Sequence, residues 1–511
     1  MGITVWTEEG KREYPAVEKK TLLALLWEQG KEQVHAPCGG RGLCGKCTVM
    51  RVQDGQEQPM LACQVYPKDG ECYRLPKVEE LSVETGGVSA DICADDGLSG
   101  YGVACDIGTT TVVCHLVRLQ TAERIATIGE GNEQGRYGAD VISRIQAAAE
   151  GRLKELTDTI QGQLGRMIAR LCEKAKIETA EITRMAIAAN TTMCHLLAGL
   201  NPQGMGAAPF TPLSRFGTCY EAARLHLGFD GEVYVLPAVS GYVGGDITGD
   251  ILAAGLDASD EVTLLIDVGT NGEMALGCGD RLVCCSTAAG PAFEGAQIDC
   301  GMTAAAGAIS SVQWESGRVV TEVIGNTEAS GICGSGLIDA VSVMLELGAV
   351  DETGRMLDIA EDDIPAECLP YLELDEEQVP IFRLSEHVYV SQSDVRKLQL
   401  GKGAIAAGTQ VLLETYGIRA AQVKQLLLAG GFGSFIRVSS AARIGLIPKE
   451  LAHVTRAVGN AAAEGAFAAL VSDSARERLE RIQRSMDYYE LSGLAAFNNA
   501  YMESMMFPEG E

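Results

Sequence analysis

Residues 102–117 read GVACDIGTTTVVCHLV, and residues 263–276 read TLLIDVGTNGEMAL. Each runs from an apolar stretch into an Asp, a Gly and hydroxyl or amide residues, then into a second apolar stretch: strand, tight turn, strand. Asp106 and Asp267 stand 161 residues apart, so the unit is repeated and the chain reads as two related halves. From Tyr101 onward apolar strands, glycine turns and helical periodicities alternate, which predicts α/β layers. The halves fall at about 101–260 and 261–470, with a C-terminal segment at 471–511.

A glycine turn between strands lets backbone amides and Thr hydroxyls face phosphate oxygens, and an Asp at the strand end can hold Mg²⁺ directly or through water. On this reading Gly108, Thr109 and Thr110 line one phosphate loop, and Gly269, Thr270 and Asn271 line the other. Asp106 and Asp267 organise Mg²⁺ and water. Two further glycine segments follow, GICGSGLIDAV at 331–341 and LLLAGGFGSF at 426–435. In the latter an apolar strand runs into Gly430, Gly431 and Gly433, where a base and ribose can lie flat against backbone. Asp246, in VGGDITGD, either orients an attacking water or caps a helix. Met193 and Met274, at motif edges, are expected in the core.

A different chemistry precedes this region. HAPCGGRGLCGKCTV, residues 35–49, together with Cys63, spaces its cysteines C-x5-C-x2-C and then C after fifteen more residues. An iron–sulfur cluster needs thiolates converging from one tightly folded loop, and Gly39, Gly40, Gly42 and Gly45 suit such a loop because they tolerate positive φ. The loop is one residue longer than the plant-type C-x4-C-x2-C and is similar to that of the bacterial and vertebrate-type [2Fe-2S] ferredoxins. Cys38, Cys44, Cys47 and Cys63 are the expected ligands, with Cys72 the rival for the fourth and a zinc site the competing use of the set. His35 is expected to be an exposed loop residue. The hairpin-like ITVWT and KREYPAV, a helical TLLALLWEQG ending at Gly30, and the strand-like CTVMRVQDG, MLACQVYP and CYRLP predict a small sheet wrapped on one helix over 1–77. An acidic linker at 78–100 follows.

At 511 residues more than one core is expected. The formal charge of −28 argues against nucleic acid or an anionic membrane as partner. The first eighty residues are nearly neutral, with 11 Lys+Arg against 12 Asp+Glu, so the excess lies downstream. No apolar run reaches the length of a membrane span and the first residues lack the features of a signal peptide, so a cytoplasmic protein is expected, its 17 cysteines reduced. Cys114, Cys172 and Cys285 are read as small core residues.

In order, these motifs resemble the acetate and sugar kinase, Hsp70 and actin superfamily. With the cysteine domain in front, the chain resembles the reductive activators of corrinoid enzymes. AANTTMCHLLAG (188–199), AGPAFEGAQIDCGM (289–302), LQLGKGAIAAG (398–408) and VGNAAAEGA (458–466) match the family as well. The resemblance implies a β-grasp-like [2Fe-2S] domain and a two-lobed actin/Hsp70-like ATPase domain with duplicated halves. It also implies ATP and Mg²⁺ as ligands, and transfer of one electron to the Co(II) corrinoid (cobalamin-binding) protein of a methyltransferase system, with a low-potential electron donor upstream. Longer members carry a middle domain that contributes to a homodimer; here the linker leads almost directly to DIGTTT, which leaves the homodimer open. Two other functions fit the same parts: a phosphotransferase with a regulatory ferredoxin domain, and an ATP-gated electron donor to a non-corrinoid low-potential enzyme.

Overall fold

The computed structural model describes residues 2–7, 10–17, 19–28, 34, 36, 40, 42, 47–53, 56–76, 94–359, 361, 364–430 and 435–509. Cys38, Cys44, His35, Gly431, Gly433, the helix end at Gly30 and residues 78–93 of the expected linker lie outside the described residues.

The N-terminal unit comprises β1 (Ile3–Thr7), β2 (Gly10–Tyr14), α1 (Leu22–Glu28), β3 (Thr48–Gln53), β4 (Gln56–Leu61) and β5 (Cys72–Arg74). The sheet order is β2-β1-β5-β3-β4, and β1 runs parallel to β5 between two antiparallel hairpins. Leu22, Leu23, Leu25 and Leu26 bury one stripe of α1 in the same core as Ile3, Val5, Val49 and Tyr73, which is the β-grasp arrangement expected. MLACQVYP behaves differently from its reading as a strand: β4 stops at Leu61, and Ala62–Gln64 form a turn.

The first large sheet contains β6 (Tyr101–Ile107), β7 (Thr111–Arg118), β8 (Glu123–Gly131), β9 (Ile182–Ala189), β10 (Thr218–Glu221) and β11 (Glu232–Val235), with α2 (Val141–Ala147), α3 (Leu153–Ala175), α4 (Thr191–Ala198) and α5 (Gly245–Ala254). The second lobe begins with β12 (Thr263–Val268), β13 (Gly272–Cys278) and β14 (Arg281–Thr287). A small layer follows, made of β15 (Ala308–Glu315), β16 (Arg318–Val323), β17 (Gly331–Ile332), α6 (Gly334–Glu346), β18 (Leu372–Leu374), β19 (Pro380–Arg383) and β20 (Tyr389–Ser391). The chain ends with α7 (Gln392–Tyr416), β21 (Gln425–Ala429), α8 (Val438–Arg443), β22 (Thr455–Gly459), α9 (Ala461–Val471), α10 (Asp473–Ser485), β23 (Met486–Tyr488) and α11 (Ala495–Ser504).

The two large sheets share a topology. In the first, β8-β7-β6-β9-β11 has three antiparallel strands and then parallel β9 and β11; in the second, β14-β13-β12-β21-β22 repeats that pattern. The duplication read from the two Asp-Gly turns is thus a duplication of whole sheets. Central strands such as β7 (TVVCHLVR) are buried along nearly their full length, as β-branched runs between helical layers should be.

One core joins the lobes. Ala104, Val117 and Ala186 of the first sheet, Leu265, Ala275 and Leu427 of the second, and the apolar faces of α5 and α9 all belong to it. Each fully buried aliphatic side chain there contributes about 1.5–3 kcal/mol. A β-carbon on Gly465 of α9 would lie 2.3 Å from the Cα of Gly249 in α5, so the helices cross backbone to backbone. Although α9 follows a strand of the second sheet, it packs on β6 and β9 of the first. Met193, Met274, Cys114 and Cys285 are fully buried, and Cys172 is 3% exposed. Among the described residues no helix is long and apolar enough to cross a membrane.

Candidate nucleotide site and cysteine pocket

The first turn is locked by its neighbours. Gly108 N–H donates to the Thr111 carbonyl at 2.8 Å, and a side chain at 108 would strike that same oxygen. Asn132 donates from its side chain to the Gly108 carbonyl at 2.8 Å, and its backbone N–H to the Thr110 carbonyl at 2.7 Å. Asn190, which N-caps α4 by accepting from Met193 N–H, donates to the Thr109 hydroxyl at 3.1 Å. Arg144 donates to the Thr109 carbonyl at 2.6 Å while 1% exposed. Its other contacts are the Gly138 carbonyl, Gln134 Oε1 and the Met193 sulfur, all neutral. Burial holds its pKa down, to about 10.

The second turn closes the same way, with Gly269 N–H donating to the Asn271 carbonyl at 3.0 Å. Gly430 follows β21 directly, at φ +94°, and a β-carbon there would lie 2.4 Å from Asp267 Oδ1. The glycine is therefore required by the neighbouring carboxylate. Gly334 and Gly336, in GICGSG, answer to packing: β-carbons there would meet the Phe293 carbonyl at 1.7 Å and the Ile309 carbonyl at 2.2 Å.

Six carboxylates gather around the turns. Asp106 and Asp267 sit at equivalent strand ends, and Asp246 and Asp250 one turn apart on α5. Glu273 faces Asp267 across β12–β13, and Glu294 lies in the turn after β14. Asp106, Asp246 and Asp267 keep some solvent contact, whereas Asp250, Glu273 and Glu294 are buried. Desolvation is the leading cause of every shift, and neighbouring carboxylates add to it. It pushes Asp106 and Asp246 up to about 7 and Asp267 to about 6, and drives Asp250 and Glu273 well above the carboxylate range. Among the described residues neither oxygen of Asp250 has a hydrogen-bond partner, and burial, followed by the neighbouring Asp267, favours its protonated form.

Of the residues read from sequence as catalytic, Asp106, Asp246 and Asp267 come together here. The N-cap alternative for Asp246 does not hold: Gly244 is the cap, and Asp246, inside the first turn, accepts from Ile247 N–H at 2.9 Å. Asn132, Arg144, Asn190, Asp250, Glu273, Glu294 and Asn460 were not singled out. Asp250 stands four residues after Asp246 in the quoted GDITGD, a helical spacing that pairs the two. Arg144 carries no motif.

In the N-terminal unit, Cys47 is fully buried, and Cys63 N–H donates to its sulfur at 3.4 Å. Ala62 N–H donates to the Cys47 carbonyl at 2.8 Å, fixing the 62–64 turn against the loop. Gly40 and Gly42 take φ of +79° and +77°, the left-handed conformation expected of them, and a β-carbon on Gly40 would lie 3.8 Å from Cys63 Cβ. Cys72 lies on β5 and is half-buried.

Fold and site define a ferredoxin-type domain joined to a duplicated, actin-like ATPase fold. Residues 6–68 match the family described as 2Fe-2S iron-sulfur cluster binding domain, 101–259 the RACo middle region, and 261–511 the C-terminal domain of RACo, the ASKHA domain. The chain belongs to the reductive activators of corrinoid proteins. It is 36% identical over 563 residues to the corrinoid activation enzyme RamQ of Eubacterium limosum, covering 92% of this chain and 93% of that protein. It is 25% identical over 444 residues to the [Co(II) methylated amine-specific corrinoid protein] reductase of Methanosarcina barkeri, covering 79% of this chain and 76% of that one. A solved reductive activator for corrinoid, iron-sulfur protein superposes with a TM-score of 0.75 at 28% identity, covering 100% of this chain and 99% of the other. The match to the middle region, at 101–259, spans the first large sheet and its DIGTTT turn.

Proposed function

We propose that this chain uses ATP to drive one electron, by way of a [2Fe-2S] cluster, onto a corrinoid protein stranded as Co(II), restoring Co(I) for methyl transfer. One observation carries the reading: a single chain gathers carboxylates around two equivalent Asp-Gly turns and, separately, sets Cys63 N–H against the Cys47 sulfur near the left-handed Gly40 and Gly42. The named targets of the relatives supply the corrinoid partner.

The residues fit the ligands. A buried thiol beside a second cysteine, with left-handed glycines where the backbone must approach closely, suits a thiolate-held cluster, with Cys38 and Cys44 completing the set. When bound, such a cluster supplies a one-electron carrier. The oxygens of Asp250, without a partner among the described residues and amid Asp106, Asp246 and Asp267, suit a divalent cation, because a cation offsets both the burial and the mutual repulsion that raise the pKa of this carboxyl. Asp106, Asp267 and Asp246 would hold Mg²⁺ and its waters, and the Thr109, Thr110, Thr270 and Asn271 side chains would face the phosphates. Gly430, with Gly431 and Gly433, would receive the nucleoside.

Coupling answers an energetic need. Plant-type ferredoxins lie near roughly −400 mV, and Co(II) reduction to Co(I) lies lower still. Each ~59 mV of one-electron gap is about 1.4 kcal/mol. A two-lobed domain can offset that gap by favouring, with nucleotide bound, a complex in which the corrinoid is easier to reduce. A low-potential donor reloads the protein, and a homodimer is compatible with the scheme. The test is anaerobic: the reduced protein, a Co(II) corrinoid protein and Mg-ATP are mixed and the Co(I) absorbance followed. The reading predicts Co(I) with ATP and none with Mg²⁺ alone; equal rates with and without ATP would refute it.

A further inference from the structure

Glu294 bridges the two phosphate turns. Thr270 Oγ1 donates to its Oε1 at 2.6 Å, and the Thr110 hydroxyl donates to its Oε2. Thr110 belongs to the first lobe and Thr270 to the second, so one carboxylate is held by equivalent loops of both halves. The residue is 7% exposed; burial raises its pKa above the usual carboxylate value, while the two threonine hydroxyls and then the Arg144 guanidinium act the other way, toward its charged form. Its turn is fixed to the second phosphate loop by Gly290 N–H, which donates to the Thr270 carbonyl at 2.9 Å. Gly290 and Gly295 flank that turn in the left-handed region, and Pro291 starts it.

We propose that the Glu294 carboxylate stands in for a phosphoryl group, clasping the two turns until the terminal phosphate of a nucleoside triphosphate displaces it. Carboxylate and phosphate oxygens accept the same hydroxyl hydrogen bonds, and two anions cannot share one pair of donors without strong repulsion. Arg144 serves either occupant: its own hydrogen bonds run to neutral acceptors, and among the described residues it makes no ion pair. A diphosphate is one group shorter and leaves the clasp closed. Triphosphate entry therefore breaks a side-chain bond between the lobes, and Glu294 acts as a positioning residue that distinguishes ATP from ADP. The inference rests on the ATP-using reading above and adds to it the group that senses the third phosphate.

The experiment is calorimetric titration of the full-length protein with Mg-ATP and Mg-ADP, comparing wild type, Glu294→Gln, Glu294→Asp and Glu273→Gln. Binding by the wild type tests the ATP reading; the variants' ATP-to-ADP affinity ratios test the clasp. Removing the competing charge in Glu294→Gln tightens ATP roughly tenfold and leaves ADP nearly unchanged. Glu294→Asp, too short to reach both hydroxyls, moves the same way by less and serves if the Gln variant does not fold. Glu273→Gln, which removes a buried carboxylate outside the clasp, shifts both nucleotides alike. Equal shifts for ATP and ADP in Glu294→Gln, the same selectivity from Glu273→Gln, or unchanged binding with lost turnover would each overturn the clasp.

Discussion

Asn460 donates from its side-chain nitrogen to Asp106 Oδ2 at 2.8 Å, across 354 residues of sequence. The same side chain accepts from Ala463 N–H at 2.9 Å, so the cap of α9 also restrains the carboxylate of the first Asp-Gly turn. Asn460→Ala removes both bonds. It should cost about 1–2 kcal/mol of stability from the lost cap and cut ATP turnover more than the stability loss explains. Asn460→Asp keeps a cap but adds a seventh carboxylate, so its melting temperature should fall further below wild type at pH 8 than at pH 5. A uniform deficit at both pH values would mean that Asp106 does not sense this residue.

The helix crossing that joins the lobes tolerates no side chain at its centre. Gly465→Ala places a methyl group against the Gly249 backbone and must separate α5 from α9. Overpacking of this kind costs about 1–3 kcal/mol. Thermal unfolding should show the loss in the ATPase part, while the visible spectrum of the cluster domain stays as in wild type. A spectrum that changes with Gly465→Ala would show that the two parts do not behave independently.

Without metal or nucleotide, the carboxylate cluster makes stability fall as pH rises. Asp106 and Asp246 are raised to about 7 and Asp267 to about 6, so the folded state binds more protons than the unfolded chain above roughly pH 4. Their protonated forms favour the fold fully below that point, and the contribution is lost as pH climbs through 6 and 7. Denaturant midpoints of the metal-free protein should therefore drop between pH 5 and 8. Mg-ATP should restore most of the loss at pH 8, and its binding should release protons. A midpoint that rises across this range would contradict the cluster's assignment.

For the cysteine pocket, the contact between Cys63 and Cys47 favours Cys63 over Cys72 as fourth ligand. Cys63→Ser should abolish or strongly change the visible and paramagnetic spectra of anaerobically purified protein, with two irons per chain in wild type as the diiron cluster requires. Cys72→Ser should leave them alone. The reverse result would place the fourth ligand on β5.

What the sequence disclosed and what it hid divide along a physical line. Turn chemistry is local, so the Asp-Gly-Thr units, the cysteine loop and the duplicated halves could be read directly, and Asp106, Asp246 and Asp267 do meet in space. Strand ends were harder: MLACQVYP is apolar but for Gln64, yet the chain turns at Ala62 to bring Cys63 against Cys47. Residues whose role depends on tertiary approach left little trace. Arg144 lies in an ordinary helix, and Asn460 and Glu294 sit in segments matched as wholes, with nothing local to mark which side chain reaches the turns. Gly334 looked like part of a nucleotide motif because a glycine needed for tight packing is indistinguishable in sequence from one needed by a phosphate.

The most direct test of ATP-driven electron transfer is the Co(II)-to-Co(I) rate of Asp267→Ala, measured anaerobically with excess Mg-ATP and a low-potential reductant. Asp267 ends the strand before the second Asp-Gly turn, whereas Cys47 and Cys63 belong to the N-terminal unit, so the variant should take up an electron from dithionite with an unchanged cluster spectrum. Its ATP turnover should fall by about 10²–10³-fold, as losses of an electrostatic catalytic group do, and corrinoid reduction should fall with it. Corrinoid reduction at the wild-type rate in Asp267→Ala would mean that nucleotide chemistry does not drive the electron here.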